Sequence, residues 1–223
     1  MSAKSVGDKA IGYHQGHELI QALEKAGLTS DLAQEIIGSR GNRSAQSMLA
    51  ALPGAVLTDD RFQLVKSFGI VVPADYDYST RLDTFRTAHQ KEFYYYNPNI
   101  TDANFNHPSL KLSPGLKFGV KVFQITERVT SDDCLKFLKS QPKGVLLGAQ
   151  GATLVYEQAK DKLPKSRWHV SFDEKENLWE DSGRDRRVPF VCAHSGGGFD
   201  FDLGYFEYPW GAGHCLLCFC NEN

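Results

Sequence analysis

The sequence lacks the features that would place the chain in a membrane, in a secretory pathway or on nucleic acid. It contains no run of 18 apolar residues, so we expect no membrane span. Residues 1–8 lack the apolar core of a signal peptide, which predicts a cytoplasmic protein whose five cysteines are reduced thiols. Basic residues are not in surplus, since 25 Lys and Arg face 27 Asp and Glu, and the densest basic cluster, 184–187, is interrupted by Asp185. We therefore expect no nucleic-acid partner.

The residues that are present have the proportions of a globular protein. Hydrophobic residues make up 41%, charged residues 23% and aromatic residues 12% of the chain. These proportions exclude a collagen-like, low-complexity or wholly disordered chain. A chain of 223 residues buries roughly 70% of its unfolded surface. We therefore expect a core that needs neither disulfide bonds nor a structural metal.

Residues 1–55 are predicted to form a small helical module. Apolar residues recur at helical spacing in 17–25, 29–37 and 45–52, and glycine or proline follows each segment. Three short helices of this kind also fit a helix-turn-helix, so a small DNA-binding regulator is an alternative function. Few basic residues line the third helix, which argues against that alternative.

Residues 56–115 are predicted to be a mixed connecting region. The region contains a buried strand at 68–73 and a helix at 80–92. The aromatic run 93–96 cannot place all four of its rings on one side of a strand. We therefore expect core packing to cover both faces of this run.

Residues 116–223 are predicted to form an α+β domain, because segments whose apolar residues alternate as in a strand are followed by segments whose apolar residues have helical spacing. Thr130 is expected to cap a helix whose first turn is acidic. The turn at 181–183 predicts a hairpin. The predicted elements are a strand at 117–125, helices from 130 and over 149–163, a strand at 168–172, a hairpin at 177–188 and a final strand at 215–220.

Cysteine and histidine residues near the end of the chain raise the question of a zinc site or a cysteine nucleophile. Cys215 and Cys218 have C-x-x-C spacing, but on a strand they point to opposite faces. No nucleophile elbow accompanies Cys192 or Cys215, so we expect no catalytic residue, no metal and no cofactor. A zinc- or cysteine-dependent enzyme stays an alternative. The residues considered for it are Cys192, His194, His214, Cys215, Cys218 and Cys220, with His169 as a further base.

The most informative segment is 190–215, which we call the aromatic window. Of its 26 residues, seven are aromatic and six are glycine, and none is Lys, Arg, Gln or Met. Rigid aromatic side chains among glycines are typical of recognition surfaces. Apolar side chains alternate with Asp200 and Asp202 over 199–203, which predicts a strand with one buried and one polar face. An aromatic β core with glycine turns is the alternative interpretation.

The C-terminal half resembles a known fold family. The order strand, helix, helix, strand, followed by Trp179, Gly183 and Arg187-Val188-Pro189, then Leu203-Gly204-Tyr205-Phe206, Trp210-Gly211 and a final apolar strand, is similar to the C-type lectin-like fold. More narrowly, residues 117–223 resemble the variable proteins that diversity-generating retroelements mutate. Such proteins display variable positions in this C-terminal stretch on a rigid scaffold. The resemblance implies two helices packed on small twisted antiparallel sheets.

The resemblance also implies a ligand-binding protein, not an enzyme, whose surface over about 188–218 is diversified to bind varied protein targets. Diversification replaces adenines in template codons and does not produce Lys, Gln, Glu, Met or Trp, so Glu207 and Trp210 would be fixed. Neither a particular ligand nor an oligomeric state is implied. The expected buried scaffold is Val191, Phe199, Phe201, Leu203, Phe206 and Trp210. The residues expected to face solvent and bind the ligand are Phe190, Cys192, Ala193, His194, Gly196, Gly198, Asp200, Asp202, Tyr205, Tyr208, Pro209, Ala212, His214 and Cys215.

Overall fold

The chain divides into two compact units, residues 1–53 and residues 54–223. A computed structural model describes residues 13–25, 28–38 and 59–222. Within these described ranges, no helix is both long enough and apolar enough to cross a membrane.

The N-terminal unit contains two described helices. Helix α1 spans Tyr13–Lys25 and helix α2 spans Ser30–Gly38. Lys25 lies in the last turn of α1 and Asp31 in the first turn of α2, where each charge interacts favourably with the helix dipole. Two of the three segments with helical spacing are thus helices. The third predicted helix, 45–52, lies outside the described residues.

The C-terminal unit is built around one nine-stranded sheet with helices packed on both faces, so the predicted α+β class is confirmed. The helices are α3 (Arg81–His89), α4 (Ser131–Ser140) and α5 (Gly148–Ala159). The strands are β1 (Phe62–Val71), β2 (Phe93–Tyr96), β3 (Lys117–Ile125), β4 (Gly144–Val145), β5 (Arg167–Val170), β6 (Trp179–Glu180), β7 (Arg186–Ala193), β8 (Phe199–Tyr205) and β9 (His214–Asn221).

The strands are arranged in the order β1-β3-β9-β5-β7-β8-β2, with β4 paired to β9 and β6 paired to β7. Strands β5 and β9 run parallel, as do β2 and β8, and the other pairs are antiparallel. The described residues of the region 56–115 therefore supply both edge strands of the sheet, β1 and β2. Among the described residues, the strands do not form the small separate sheets that were expected, because β9 joins the pair β1-β3 to the group β5-β7-β8-β2 in one sheet.

Two hydrophobic layers sandwich the sheet. On one face, α3 and α5 pack on the first core, which includes Phe85, Tyr156 and Phe201. On the other face, α4 packs on the second core, which includes Phe137 and Phe172. Each central strand is therefore covered on both faces along most of its length, and a side chain reaches solvent only where a layer ends.

A local signal sets the start of α4 as expected. The Thr130 hydroxyl accepts a hydrogen bond from the Asp133 backbone N–H at 3.1 Å, and the Asp133 carboxylate accepts one from the Thr130 backbone N–H at 3.1 Å. This reciprocal capping box satisfies two donors that a helix start leaves unpaired. The hairpin is also present, since β6 and β7 pair around the turn at 181–185.

Candidate functional site

One end of the sheet is left partly open on the face that packs against α4. Here the strands β2, β8, β7 and β5 bring five partly or largely exposed side chains together around the turn 194–198. We call this surface the open face. It consists of Tyr95, Trp168, His194, Asp200 and Asp202.

The register of the strands builds the open face. Cys192 on β7 pairs with Trp168 on β5 at one side and with Asp200 on β8 at the other, and Asp200 also pairs with Tyr95 on β2. Paired residues place their side chains on the same face of a sheet. Neighbouring strands lie about 4.8 Å apart, so the row from Trp168 to Tyr95 spans about 15 Å.

Trp168 is the largest exposed apolar side chain of the open face. Its side chain is 45% exposed, yet its ring stacks on the ring of Phe190 with centroids 5.2 Å apart and planes tilted by 10°. The His214 ring meets Trp168 edge-on at 4.8 Å. The indole is therefore held in one orientation while one side faces solvent. Sequence reasoning missed Trp168, because its strand also carries the buried Val170 on the same face.

The edge strand β2 adds two exposed tyrosines. Phe93 is buried and Tyr96 packs on the first core, but Tyr94 is 73% exposed and Tyr95 is 47% exposed. The prediction that both faces of the run 93–96 are covered is therefore wrong for Tyr94 and Tyr95. The physical reason is that β2 lies at the end of the sheet, where no layer covers the side facing away from the first core.

The turn that joins β7 to β8 is fixed by short contacts. The His194 backbone N–H donates to the Gly198 carbonyl at 2.9 Å, and the Gly197 N–H donates to the His194 carbonyl at 3.1 Å. Gly197 has a φ of 93°, which favours glycine. A Cβ on Gly198 would lie 2.1 Å from a ring atom of Tyr94, so this position cannot carry a side chain while that ring stays in place.

Three possible metal ligands converge beside this turn. One ligand atom each from Cys192, His194 and Asp200 lies within 4.8 Å of the others. His194 Nε2 is 2.8 Å from Asp200 Oδ2. Burial raises the pKa of the Cys192 thiol, and the nearby Asp200 charge raises it further, whereas a hydrogen bond from Trp168 opposes these effects. Sequence reasoning did not consider this combination, since Asp200 becomes a neighbour of Cys192 only through the strand register.

The cysteines that suggested a C-x-x-C motif do not converge. Cys215 lies in the first core and Cys218 in the second, on opposite faces of β9. The prediction that strand geometry separates these two thiols is confirmed. His169, considered as a base, is fully buried on β5, where its Nδ1 lies 3.1 Å from the Val191 carbonyl.

Four residues predicted to face solvent are buried, and that part of the prediction is wrong. Phe190 lies beneath Trp168, and Cys192 lies beside it in the second core. Ala193 and Cys215 lie in the first core. These residues belong to the central strands β7 and β9, which the two layers cover on both faces.

The remaining predicted residues do not form one continuous surface. Tyr205 projects from β8 on the opposite face from Asp200, and the two residues are about 16 Å apart along the strand. The Tyr205 ring stacks on Tyr208 at 4.7 Å and lies 3.5 Å from the Arg187 guanidinium carbon. The exposed residues Gly196, Tyr208, Pro209 and Ala212 lie in the two turns, and Gly198 and His214 are half-buried.

The predicted scaffold residues are buried. Val191, Phe199, Phe201, Leu203, Phe206 and Trp210 all lie in the two cores. The Trp210 indole N–H donates to the Ser131 hydroxyl at 2.7 Å, and that hydroxyl donates to the Phe206 carbonyl. These bonds tie the segment 206–213 to the start of α4.

The open face combines a flat apolar area with hydrogen-bond acceptors. Trp168 supplies area for stacking, and Asp200 and Asp202 supply carboxylate oxygens. Asp202 is held in place because its Oδ1 accepts from the Asn97 side chain and from the Leu203 backbone, each at 2.7 Å.

No protein-family model matches the chain, and no curated protein or solved structure shows a significant match to it.

Proposed function

We propose that the C-terminal unit is a ligand-binding module that recognises protein targets through the open face. The observation that carries this proposal is the Trp168 ring, which is nearly half exposed and stacked on Phe190. Large aromatic rings supply much of the binding energy at protein interfaces. A ring that is already fixed in the free protein loses little conformational entropy when a ligand covers it.

We further propose that the scaffold is C-type lectin-like. The supporting observation is the element order over 117–170, where β3, α4, α5 and β5 follow one another as strand, helix, helix, strand, with the short β4 between the helices. Strand β9 pairs with β3, so the first and last strands of the region 117–223 are neighbours. In this proposal, β1 and β2 enlarge the lectin-like domain at its two edges.

The third part of the proposal is that a retroelement diversifies the exposed residues of the aromatic window. Support comes from the alternation of buried and half-exposed side chains along β8. Phe199, Phe201 and Leu203 are buried, whereas Asp200 and Asp202 on the other face are half-exposed. Trp168 and Tyr95 lie outside 188–218 and would act as fixed anchors beside variable positions.

The DNA around the gene tests diversification. We expect a near-copy of the segment that encodes residues 188–218, which differs from it only opposite adenines and lies beside a reverse transcriptase gene. Copies of the gene sequenced from a population should vary at Asp200 and Asp202 but not at Phe201 or Trp210. If no near-copy is present, or if variation is equal at buried and exposed positions, diversification is refuted.

A display experiment tests the open face itself. We would randomise His194, Asp200 and Asp202 in the full chain and select binders to a purified fluorescent protein. The selected clones should lose binding when Trp168→Ala is added, and should keep it when Tyr208→Ala, at an exposed aromatic residue outside the open face, is added instead. Clones that keep their affinity after Trp168→Ala would show that the open face is not the recognition surface.

A further inference from the structure

We propose that Cys192, His194 and Asp200 form a binding site for one divalent transition-metal ion, with Zn²⁺ as the best-matched ion. This inference concerns the residues that this chain carries and does not depend on the proposed ligand-binding function, since a copy diversified at His194 or Asp200 would lose the site without losing the Trp168 surface. It rests on the convergence of three side chains of different chemistry, whose ligand atoms lie within 4.8 Å of one another.

Backbone geometry places the three ligands on one face. Cys192 and Asp200 pair directly across the antiparallel strands β7 and β8. His194 follows Cys192 by two residues, and the period of two along an extended chain returns its side chain to the same face. The backbone contacts between His194, Gly197 and Gly198 fix the turn, and the contact between His194 Nε2 and Asp200 Oδ2 keeps the imidazole beside the carboxylate, so the three ligands are already neighbours before any ion binds.

The donor atoms select the class of ion. A thiolate sulfur, an imidazole nitrogen and a carboxylate oxygen together suit Zn²⁺, which binds all three donors at distances of about 2.0–2.3 Å. Ca²⁺ and Mg²⁺ are poor matches, because they take oxygen ligands and only one carboxylate is present in this set. Ion binding displaces the thiol proton of Cys192 to solvent and replaces the direct contact between His194 and Asp200 with two bonds to the metal.

Three protein ligands leave one position of a tetrahedral ion open. His194 and Asp200 are both partly exposed, with 37% and 26% of their side-chain surfaces accessible, whereas Cys192 lies beneath them. Two of the three ligands therefore border solvent on the open face, from which a water molecule or a donor atom of a ligand would complete the coordination.

Two aromatic side chains restrict the positions of the metal ligands Cys192 and His194. Trp168 pairs with Cys192 across β5 and β7 on the same face of the sheet, so its indole lies beside the Cys192 side chain, where an outer contact can orient a metal-bound thiolate. The Tyr94 ring lies 5.5 Å from the His194 ring and packs over Gly198, which restricts the imidazole on its other side. Outer contacts of this kind change metal affinity by about tenfold or more when they are removed.

A structural ion pair is the competing explanation. His194 and Asp200 already contact each other at 2.8 Å and could serve only to close the turn. In that case Cys192 is an ordinary buried thiol, and its removal has no effect on metal binding. The metal-site explanation predicts one bound ion per chain and a bond from the Cys192 sulfur to that ion. The ion-pair explanation predicts neither.

Zinc titration of the full chain tests the site. The protein is stripped with a chelator, and Zn²⁺ is added in competition with a chromogenic indicator. We expect one equivalent bound by the parent and loss of this equivalent in His194→Ala and Asp200→Asn, which change partly exposed residues. Two control variants should keep it: Asp202→Asn, two residues along the same face, and Cys220→Ala, at a partly exposed thiol outside the open face.

Cobalt titration then identifies the sulfur ligand. Co²⁺ bound to a thiolate gives a charge-transfer band in the near ultraviolet, which should be present in the parent and in Cys220→Ala but absent in Cys192→Ala. Circular dichroism verifies that each variant is folded. If Cys192→Ala does not fold, the His194 and Asp200 variants still decide the outcome.

Two results would overturn the site. One is the absence of a stoichiometric equivalent in the parent, and the other is an equivalent that survives in both His194→Ala and Asp200→Asn. Neither result bears on the stacking surface of Trp168, so the display experiment remains an independent test of ligand binding. Conversely, if the parent binds Zn²⁺ but the selected clones keep their affinity after Trp168→Ala, the metal site is supported and the proposed recognition surface is refuted.

Discussion

Replacing Phe201 by Ala is expected to cost far more stability than replacing its neighbour Asp200 by Ala. The two residues are consecutive on β8 and point to opposite faces of the sheet. Phe201 is fully buried, and its ring lies 5.5 Å from Tyr96 and 5.9 Å from Phe85. Asp200 is partly exposed, and its carboxylate contacts His194.

The structure sets the expected magnitudes. Truncation of a buried Phe to Ala costs about 3–5 kcal/mol, because burial energy is lost and a cavity remains. The ion pair between Asp200 and His194 is partly exposed, and such pairs contribute about 1 kcal/mol at most. For a protein of this size, about 1 kcal/mol shifts the Tm by about 2–4 °C. Phe201→Ala should therefore lower the Tm by about 6–20 °C, and Asp200→Ala by no more than about 4 °C.

Thermal unfolding of both variants and the parent measures the shifts in Tm, and urea unfolding monitored by tryptophan fluorescence measures the corresponding losses of free energy. A chelator in all samples removes any contribution of a metal ion to the Asp200 comparison. Losses of similar size in the two variants, or a larger loss for Asp200→Ala, would refute the assignment of the buried and open faces of β8.

Two further predictions concern buried and ionic contacts outside the open face. Ser131→Ala should lower the free energy of unfolding by about 1–3 kcal/mol, because the buried Trp210 indole N–H loses its acceptor. Urea unfolding measures this loss. The control Ser182→Ala, which changes an exposed serine, should show no loss. The pKa of Glu92 is lowered from 4.5 to about 2, chiefly because His89 hydrogen-bonds to its carboxylate. Glu92→Gln should therefore be less stable than the parent at neutral pH. This deficit should close as the pH falls from about 4.5 towards 2, since in that range the carboxyl stays charged in the folded protein but takes up a proton in the unfolded chain. A deficit that is the same at every pH measured by thermal unfolding would contradict this assignment.

Local patterns predicted much of the C-terminal unit. The predicted strand 117–125 coincides with β3, and the expected cap at Thr130 begins α4. The alternation over 199–203 correctly separated the buried side chains of β8 from its two aspartates. These features depend on residues within a few positions of one another, so the sequence pattern determines them directly.

Features that depend on the pairing of strands far apart in the sequence could not be predicted from local patterns. Phe190 and Cys215 were expected to face solvent, but β7 and β9 lie inside the sheet and are covered on both faces. The same long-range order leaves Tyr95 and Trp168 exposed, because each lies where a covering layer ends. The neighbours of Cys192 likewise follow from the pairing of three strands, which no local spacing encodes.

The position of β9 also has a consequence for synthesis of the chain. Residues 214–221 form the strand that connects β3 to β5 in the sheet. Among the described residues, every other strand of the sheet precedes β9 in the sequence, so the pair β1-β3 and the group β5-β7-β8-β2 cannot be joined before residues 214–221 are synthesised. Unpaired edges of this kind invite association with other chains. The two groups of strands can therefore form one sheet only through β9, which makes the pairing of this strand the step that covers both inner edges.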